Sequence, residues 1–202
     1  MSNETSLRED ISFLRHLAES GRNGPILGGI FLAAAGVVFG SACFLDFAAM
    51  QGMFPVRGGP LWLGASAVFT LLWFVLFFRM KAGGKKVQSV SSASFGMIWS
   101  AIAPGVLTAF GTTLLIAHQT QNNAVLAAYV PVIYAFYGTA WFASGALAKR
   151  SWMFIAALGS FAYAFVVALM AASPYLSVAM GGGLLLLLTL PGLKLAADEA
   201  RS

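Results

Sequence analysis

Ser100, Pro104, Thr108 and Thr112 fall four residues apart inside a long apolar stretch, and Pro131 and Tyr134 stand in the next one. In a helix, Pro104 removes a backbone N–H and leaves the carbonyl of Ser100 without its regular partner. In a membrane such a group must be met by a hydroxyl, a neighbouring helix or water. Thr108 and Thr112 continue the same face, and Pro131 does to Ala127 what Pro104 does to Ser100. Tyr134, Tyr137 and Trp141 then follow. Hydroxyls and free carbonyls of this kind can hold an uncharged solute by hydrogen bonds, and broken helices with polar faces are where carriers place substrate. The same residues can serve as a plain helix kink, since proline is common in membrane helices.

Other reactive groups are sparse. No Ser/His/Asp set, HExxH motif, phosphate-binding loop or cluster with metal-ligand spacing occurs. Gly181–Gly183 lies in an apolar run with no lysine beside it. Asp46 follows Pro25 by 21 residues, about 32 Å of helix, which puts it at the edge of the bilayer rather than in its middle. It reads as a helix-end acid with Arg57 as a candidate partner. Cys43 is the single cysteine and cannot form an internal disulfide. His16 and His118 are isolated. Proton relays and ion-coupled pumps depend on ionisable side chains within the membrane, and these spans lack them. The expectation is a non-enzymatic protein with no catalytic, cofactor-binding or metal-ligating residues.

The elements that hold these residues follow from composition. The chain has 202 residues, 59% hydrophobic and 9% charged, against about 25% charged in soluble domains. Lys149 and Arg150 are the only charged residues between Val87 and Leu193. A bilayer core of about 30 Å takes roughly 20 apolar residues in a helix. Six stretches qualify, at about 25–47, 60–79, 94–117, 124–148, 152–172 and 175–195, separated by "QGMFPVRGG", "RMKAGGKK", "HQTQNN", the Lys149–Arg150 pair and "ASPY". The first 24 residues carry four acids and no apolar core of the signal-peptide kind, so they are expected to belong to the mature chain. The fold class is therefore an all-α, six-helix membrane bundle over 25–195, preceded by an amphipathic segment over 1–24 and followed by a short tail over 196–202.

Orientation follows from Lys and Arg. With the N-terminus cytoplasmic, eleven of the twelve basic residues fall inside and only Arg57 outside. Arg79, Lys81, Lys85, Lys86, Lys149 and Arg150 then act as topology anchors. "RMKAGGKK" could also touch anionic lipid headgroups, but with no soluble domain or interleaved aromatics around it, it does not read as a nucleic-acid site. This places both termini on the cytoplasmic side of a bacterial inner membrane.

Residues 6–20 read as a helix. Ser6 and Glu9 match a capping box, and Leu7, Ile11 and Leu14 share one face. With four acids and three bases over 1–24, the segment is too neutral for an anionic-lipid binder. It suits packing on the bundle or docking a partner protein. Small residues recur every fourth position: Ala156 to Ala172 in the fifth stretch, Gly96 to Thr112 in the third, Ala127 to Ala143 in the fourth, with Gly36 and Gly40 in the first. Such faces pack helices within the bundle or against a second copy. A period of four drifts around a helix and favours right-handed crossings.

The stretch "DISFLRHLAESGRNGPILGG" followed by closely spaced spans resembles small uncharacterised polytopic inner-membrane proteins of proteobacteria. The resemblance covers about 20 residues, holds no chemical motif and implies location only. Two functions remain open: a sensory, regulatory or assembly module, or a small carrier for an uncharged or lipid-like solute lined by the third and fourth helices.

Overall fold

The computed structural model describes Ile11, residues 28–82 and residues 90–201. Six helices are long and apolar enough to cross a membrane, and no strand occurs among the described residues. They are α1 (Gly29–Met50), α2 (Gly59–Ala82), α3 (Val90–Thr120), α4 (Tyr129–Ala148, led by a 3₁₀ turn over Asn123–Ala128), α5 (Ser151–Leu169) and α6 (Leu176–Ala200). Each overlaps one of the apolar stretches above. The chain is thus a polytopic membrane protein, because backbone groups in lipid must bond within their own segment. The expected amphipathic helix over 1–24, with Leu7 and Leu14, and the anchors Lys85 and Lys86 lie outside the described residues. Ile11 is helical and 59% exposed.

Local chemistry sets the breaks. Gln121 turns back with a positive φ, and the Asn122 side chain accepts from the Ala124 N–H at 3.0 Å to start the next turn. Lys149 ends α4 in the left-handed conformation. With Arg150 it makes a reversal of only two residues into α5. α3 runs through Pro104 as one helix.

Two antiparallel pairs form the centre. In the first, α1 and α6 approach at backbone distance. A Cβ built on Gly192 would meet the Ala33 nitrogen at 2.7 Å and the Gly29 carbonyl at 2.8 Å; one on Gly181 would meet the Gly40 carbonyl at 2.9 Å. Only glycine admits such contact. The α1 seam is Gly29, Ala33, Gly36, Gly40 and Cys43, all buried. Their spacing alternates four and three, a 3.5 period that keeps one face on the partner over the whole span. In the second pair, α4 meets α5 through Gly138 against Phe161 and Gly145 against Met153.

This corrects the expected packing faces. The every-fourth stripes drift out of contact. In α5, Ala156 and Ser160 are buried but Ala168 is exposed, and Ala172 falls beyond the end of the helix; in α4 Ala135 and Thr139 are exposed. The packed face of α4 is instead Tyr134, Gly138, Trp141 and Gly145, again at alternating spacings of four and three. A repeat of four overshoots the 3.6 residues of a turn, whereas alternating steps average close to it.

α2 and α3 stand outside this centre. On α2 only Leu61 is buried. It lies along α1 through the ring pairs Phe31–Trp73 at 6.0 Å and Phe39–Phe69 at 5.4 Å. α3 lies along α4 through Trp99–Tyr137 at 6.0 Å and Phe110–Tyr129 at 5.2 Å.

Candidate functional site

The two central pairs meet across a layer of aromatic side chains. α4 and α5 hold their backbones off α6, and three polar tips span the gap. The Tyr134 hydroxyl donates to the Met180 carbonyl, the Tyr163 hydroxyl to the Ala179 carbonyl at 2.8 Å, and the Trp141 indole N–H to the Leu187 carbonyl at 2.9 Å. Tyr134 and Trp141 are fully buried. Gly183 makes room for both tyrosines, since a Cβ there would overlap their rings.

The Trp141 bond has a sequence cause. In a regular helix the Leu187 carbonyl would accept from residue 191, which is Pro191 and has no N–H. Leaving a carbonyl bare in the apolar interior costs several kcal/mol by order of magnitude. The indole N–H supplies the missing donor. The same stretch of α6 opens into a π turn over Leu185–Thr189, a form that appears mostly as single turns inside α-helices. The buried Thr189 hydroxyl reaches back to the Leu184 carbonyl at 3.4 Å.

Towards the charged end the aromatic layer widens. Trp141 meets Trp99 edge-on at 5.0 Å, Trp152 at 5.8 Å and Phe95 at 6.3 Å. Lys194 Nζ lies 4.5 Å from the centre of the Trp152 ring, a cation–π distance. Beside it Arg150 pairs with Asp198 at 2.9 Å and ties the α4–α5 turn to the end of α6. Two buried polar atoms in this region, Trp99 Nε1 and Ser144 Oγ, have no hydrogen-bond partner among the described residues. At the opposite end Asp46 accepts from Ser177 Oγ at 2.9 Å. It thus links α1 to α6 and is not paired with Arg57.

The residues expected to line a pocket are not brought together. Ser100, Pro104, Thr108 and Thr112 are all exposed on the outer side of α3, while Tyr134 is buried against α6 and Pro131 is half-buried on α4. Two of the three hydroxyls of the stripe are used within their own helix: Ser100 Oγ donates to the Met97 carbonyl at 2.8 Å, and Thr112 Oγ1 to the Thr108 carbonyl at 2.9 Å. A hydroxyl bonded back to its own turn tolerates lipid, which is why a polar-looking stripe can face outward. Tyr134 belongs to the aromatic layer instead. Arg79 and Lys81 close α2 and Lys149 and Arg150 close α4.

Trp99, Trp152, Tyr163, Lys194 and Asp198 had no sequence motif to mark them. One signal was present: Pro191 inside an apolar span demands a donor for Leu187. The identity of the donor, 46 residues away, is a matter of packing. Among the described residues no three His, Cys, Asp or Glu side chains come close enough to hold a metal ion. No family model, curated protein or solved structure matches the chain.

Proposed function

We propose that the chain is a non-enzymatic membrane module of the sensory, regulatory or assembly kind. It works by presenting helix faces to another protein rather than by moving a solute. The observation that supports this is the division of the bundle. α1, α4, α5 and α6 bury their small and aromatic faces against each other, whereas α2 and α3 are buried almost nowhere. The small, kink-prone stripe from Gly96 to Thr112 sits on the outside of α3. Lipid contact needs no such stripe, whereas helix association in a membrane favours one. The carrier reading requires the same residues to face an internal path, and they face away from one. The charged end, with Arg79, Lys81, Lys149, Arg150 and Lys194, is cytoplasmic by the positive-inside rule. This orientation suits the inner membrane of a bacterium with both termini inside, and it puts Leu7, Ile11 and Leu14 on the side where a cytoplasmic partner would dock.

The test is site-specific cross-linking in native membranes. In a Cys43→Ser background a cysteine replaces Thr108, or Phe165 on the exposed side of α5 as the lipid-facing control. The module reading expects an intermolecular adduct from position 108, to a second copy or to another protein, and none from 165. Equal labelling of both by a lipid-phase probe with no protein adduct would remove it. Transport of a solute lost on Ser100→Ala and Thr108→Val in a folded chain would restore the carrier reading.

A further inference from the structure

We infer that the α3–α4 seam holds bound water, between the Trp99 indole N–H and the Ser144 hydroxyl. Both atoms are buried without a hydrogen-bond partner among the described residues, and Ser144 is only 2% exposed. A buried polar atom left unmet is costly, so in native proteins nearly all are met by protein or by ordered water. The indole N–H can only donate. Ser144 has a local option, the Ala140 carbonyl one turn back. Other helical hydroxyls of this chain take that option: Ser160 Oγ donates to the Ala156 carbonyl at 2.8 Å and Thr139 Oγ1 to the Ala135 carbonyl at 2.9 Å. Ser144 does not, so its hydroxyl is turned off its own helix.

The two groups share one seam. The Trp99 ring lies 5.0 Å from Trp141 and 6.0 Å from Tyr137. Ser144 follows Trp141 by three residues and Tyr137 by seven, which sets it one and two turns further along the same side of α4. This seam differs from the other two. α1–α6 and α4–α5 close on glycines, where a Cβ on Gly192 or Gly138 would meet its neighbour at 2.7 or 2.6 Å. On α3 the nearest case is Gly105, whose Cβ would stand at an ordinary 3.5 Å from the Phe136 ring. Rings keep α3 and α4 apart, and they are tilted rather than stacked: 34° for Trp99–Tyr137, 43° for Phe95–Trp99 and 70° for Trp99–Trp141. Tilted rings do not tile a surface, and a partner for the N–H and O–H between them must be small. Water suits both atoms, since it accepts from the indole and either donates to or accepts from the serine. The way in is short: Lys149 closes α4 five residues after Ser144, about 7.5 Å of helix. α3 is thus joined to the centre by rings and an exchangeable molecule, where α1 is joined to α6 by backbone contact. α3 is also the helix whose outer face the proposed module presents, but the water site does not depend on that reading.

The test is magnetic cross-relaxation between water and the indole protons of the full chain in bicelles, isotope-labelled at tryptophan. The five tryptophans give separate indole signals, assigned by single tryptophan-to-phenylalanine variants. Trp99 is expected to show a rotating-frame cross-peak to water, of the sign that dipolar contact gives and chemical exchange does not. Trp141 should show none, because its N–H is held by the Leu187 carbonyl. Trp73 is the depth control. It lies nine residues from the end of α2 (82 − 73), as Trp99 lies nine from the start of α3 (99 − 90), and it is 39% exposed. It should show none either. Ser144→Ala should lower the Trp99 cross-peak roughly two-fold or more, because a buried water is held by about three hydrogen bonds and the change removes one. Ser160→Ala, whose hydroxyl is bonded within α5, should leave it unchanged. A Trp99 signal without contact to water overturns the inference. So does an equal cross-peak at Trp73, since water would then enter generally at that depth, and so does a Trp99 cross-peak unchanged in Ser144→Ala.

Discussion

Replacing Gly192 by alanine tests whether the α1–α6 seam or helix propensity governs this bundle. On propensity alone the change is favourable, since alanine stabilises a helix interior by about 1 kcal/mol relative to glycine. The seam opposes it. The new methyl would stand 2.7 Å from the Ala33 nitrogen, 2.8 Å from the Gly29 carbonyl and 3.2 Å from the Ala33 Cα. All three are backbone atoms and cannot rotate away. Restoring ordinary contact at 3.4 Å opens the seam by 3.4 − 2.7, about 0.7 Å. A gap of that size forfeits roughly a quarter to a half of the dispersion attraction at each contact. Overpacking of this kind costs about 1–3 kcal/mol, occasionally more. Where no hydrophobic force holds helices together, dispersion is a main source of association, so the cost should exceed the propensity gain. Gly192→Ala is expected to destabilise the fold by about 1–2 kcal/mol net. Gly111→Ala on α3 is the matched comparison, because a Cβ there meets nothing within 4 Å. It should be neutral or stabilising by up to about 1 kcal/mol. The assay is unfolding free energy in mixed micelles or bicelles for both variants. Equal stability of Gly192→Ala and the parent would refute the seam argument. A loss at Gly111 as large as at Gly192 would show that α3's outer face is covered by protein in the assembled state.

Trp141→Phe should cost about 1–3 kcal/mol, because it strands the Leu187 carbonyl. Most of that cost should vanish in a Pro191→Ala background, where residue 191 regains an N–H. A double-mutant cycle with no coupling would show that the indole's role is only to fill space. Asp198→Asn should cost no more than about 1 kcal/mol, since the pair with Arg150 is partly exposed, and raised salt should shrink the effect. For orientation, in a Cys43→Ser background, a cysteine at Gln121 should react with an impermeant reagent added to intact cells and one at Lys149 should not. The reverse pattern would invert the topology.

The candidate site was legible only in part. Pro191 and Pro104 each announce an unpaired carbonyl in the sequence, and their fates differ. Leu187 receives an indole from another helix, while Ser100 lies on an outer face. Nothing local to either proline distinguishes the two cases. Likewise Tyr134 and Thr108 look alike as polar residues in apolar spans, yet one hydroxyl crosses to α6 and the other belongs to a helix face that is exposed among the described residues. Spacing showed which residues share a face of one helix, but not which face meets a neighbour.

By itself the sequence determined the class of fold. A span's length, its lack of charge and the breakers around it depend on local transfer energy and backbone bonding, which each segment meets alone. The tertiary structure decided the rest: that α1 pairs with α6 across most of the chain's length, that alternating steps of four and three rather than steps of four make the seams, and that α2 and α3 are left outside. In lipid every apolar face is equally content with solvent. The choice of neighbour therefore falls to close backbone approach and a few interhelical hydrogen bonds, both of which depend on residues far apart in the chain.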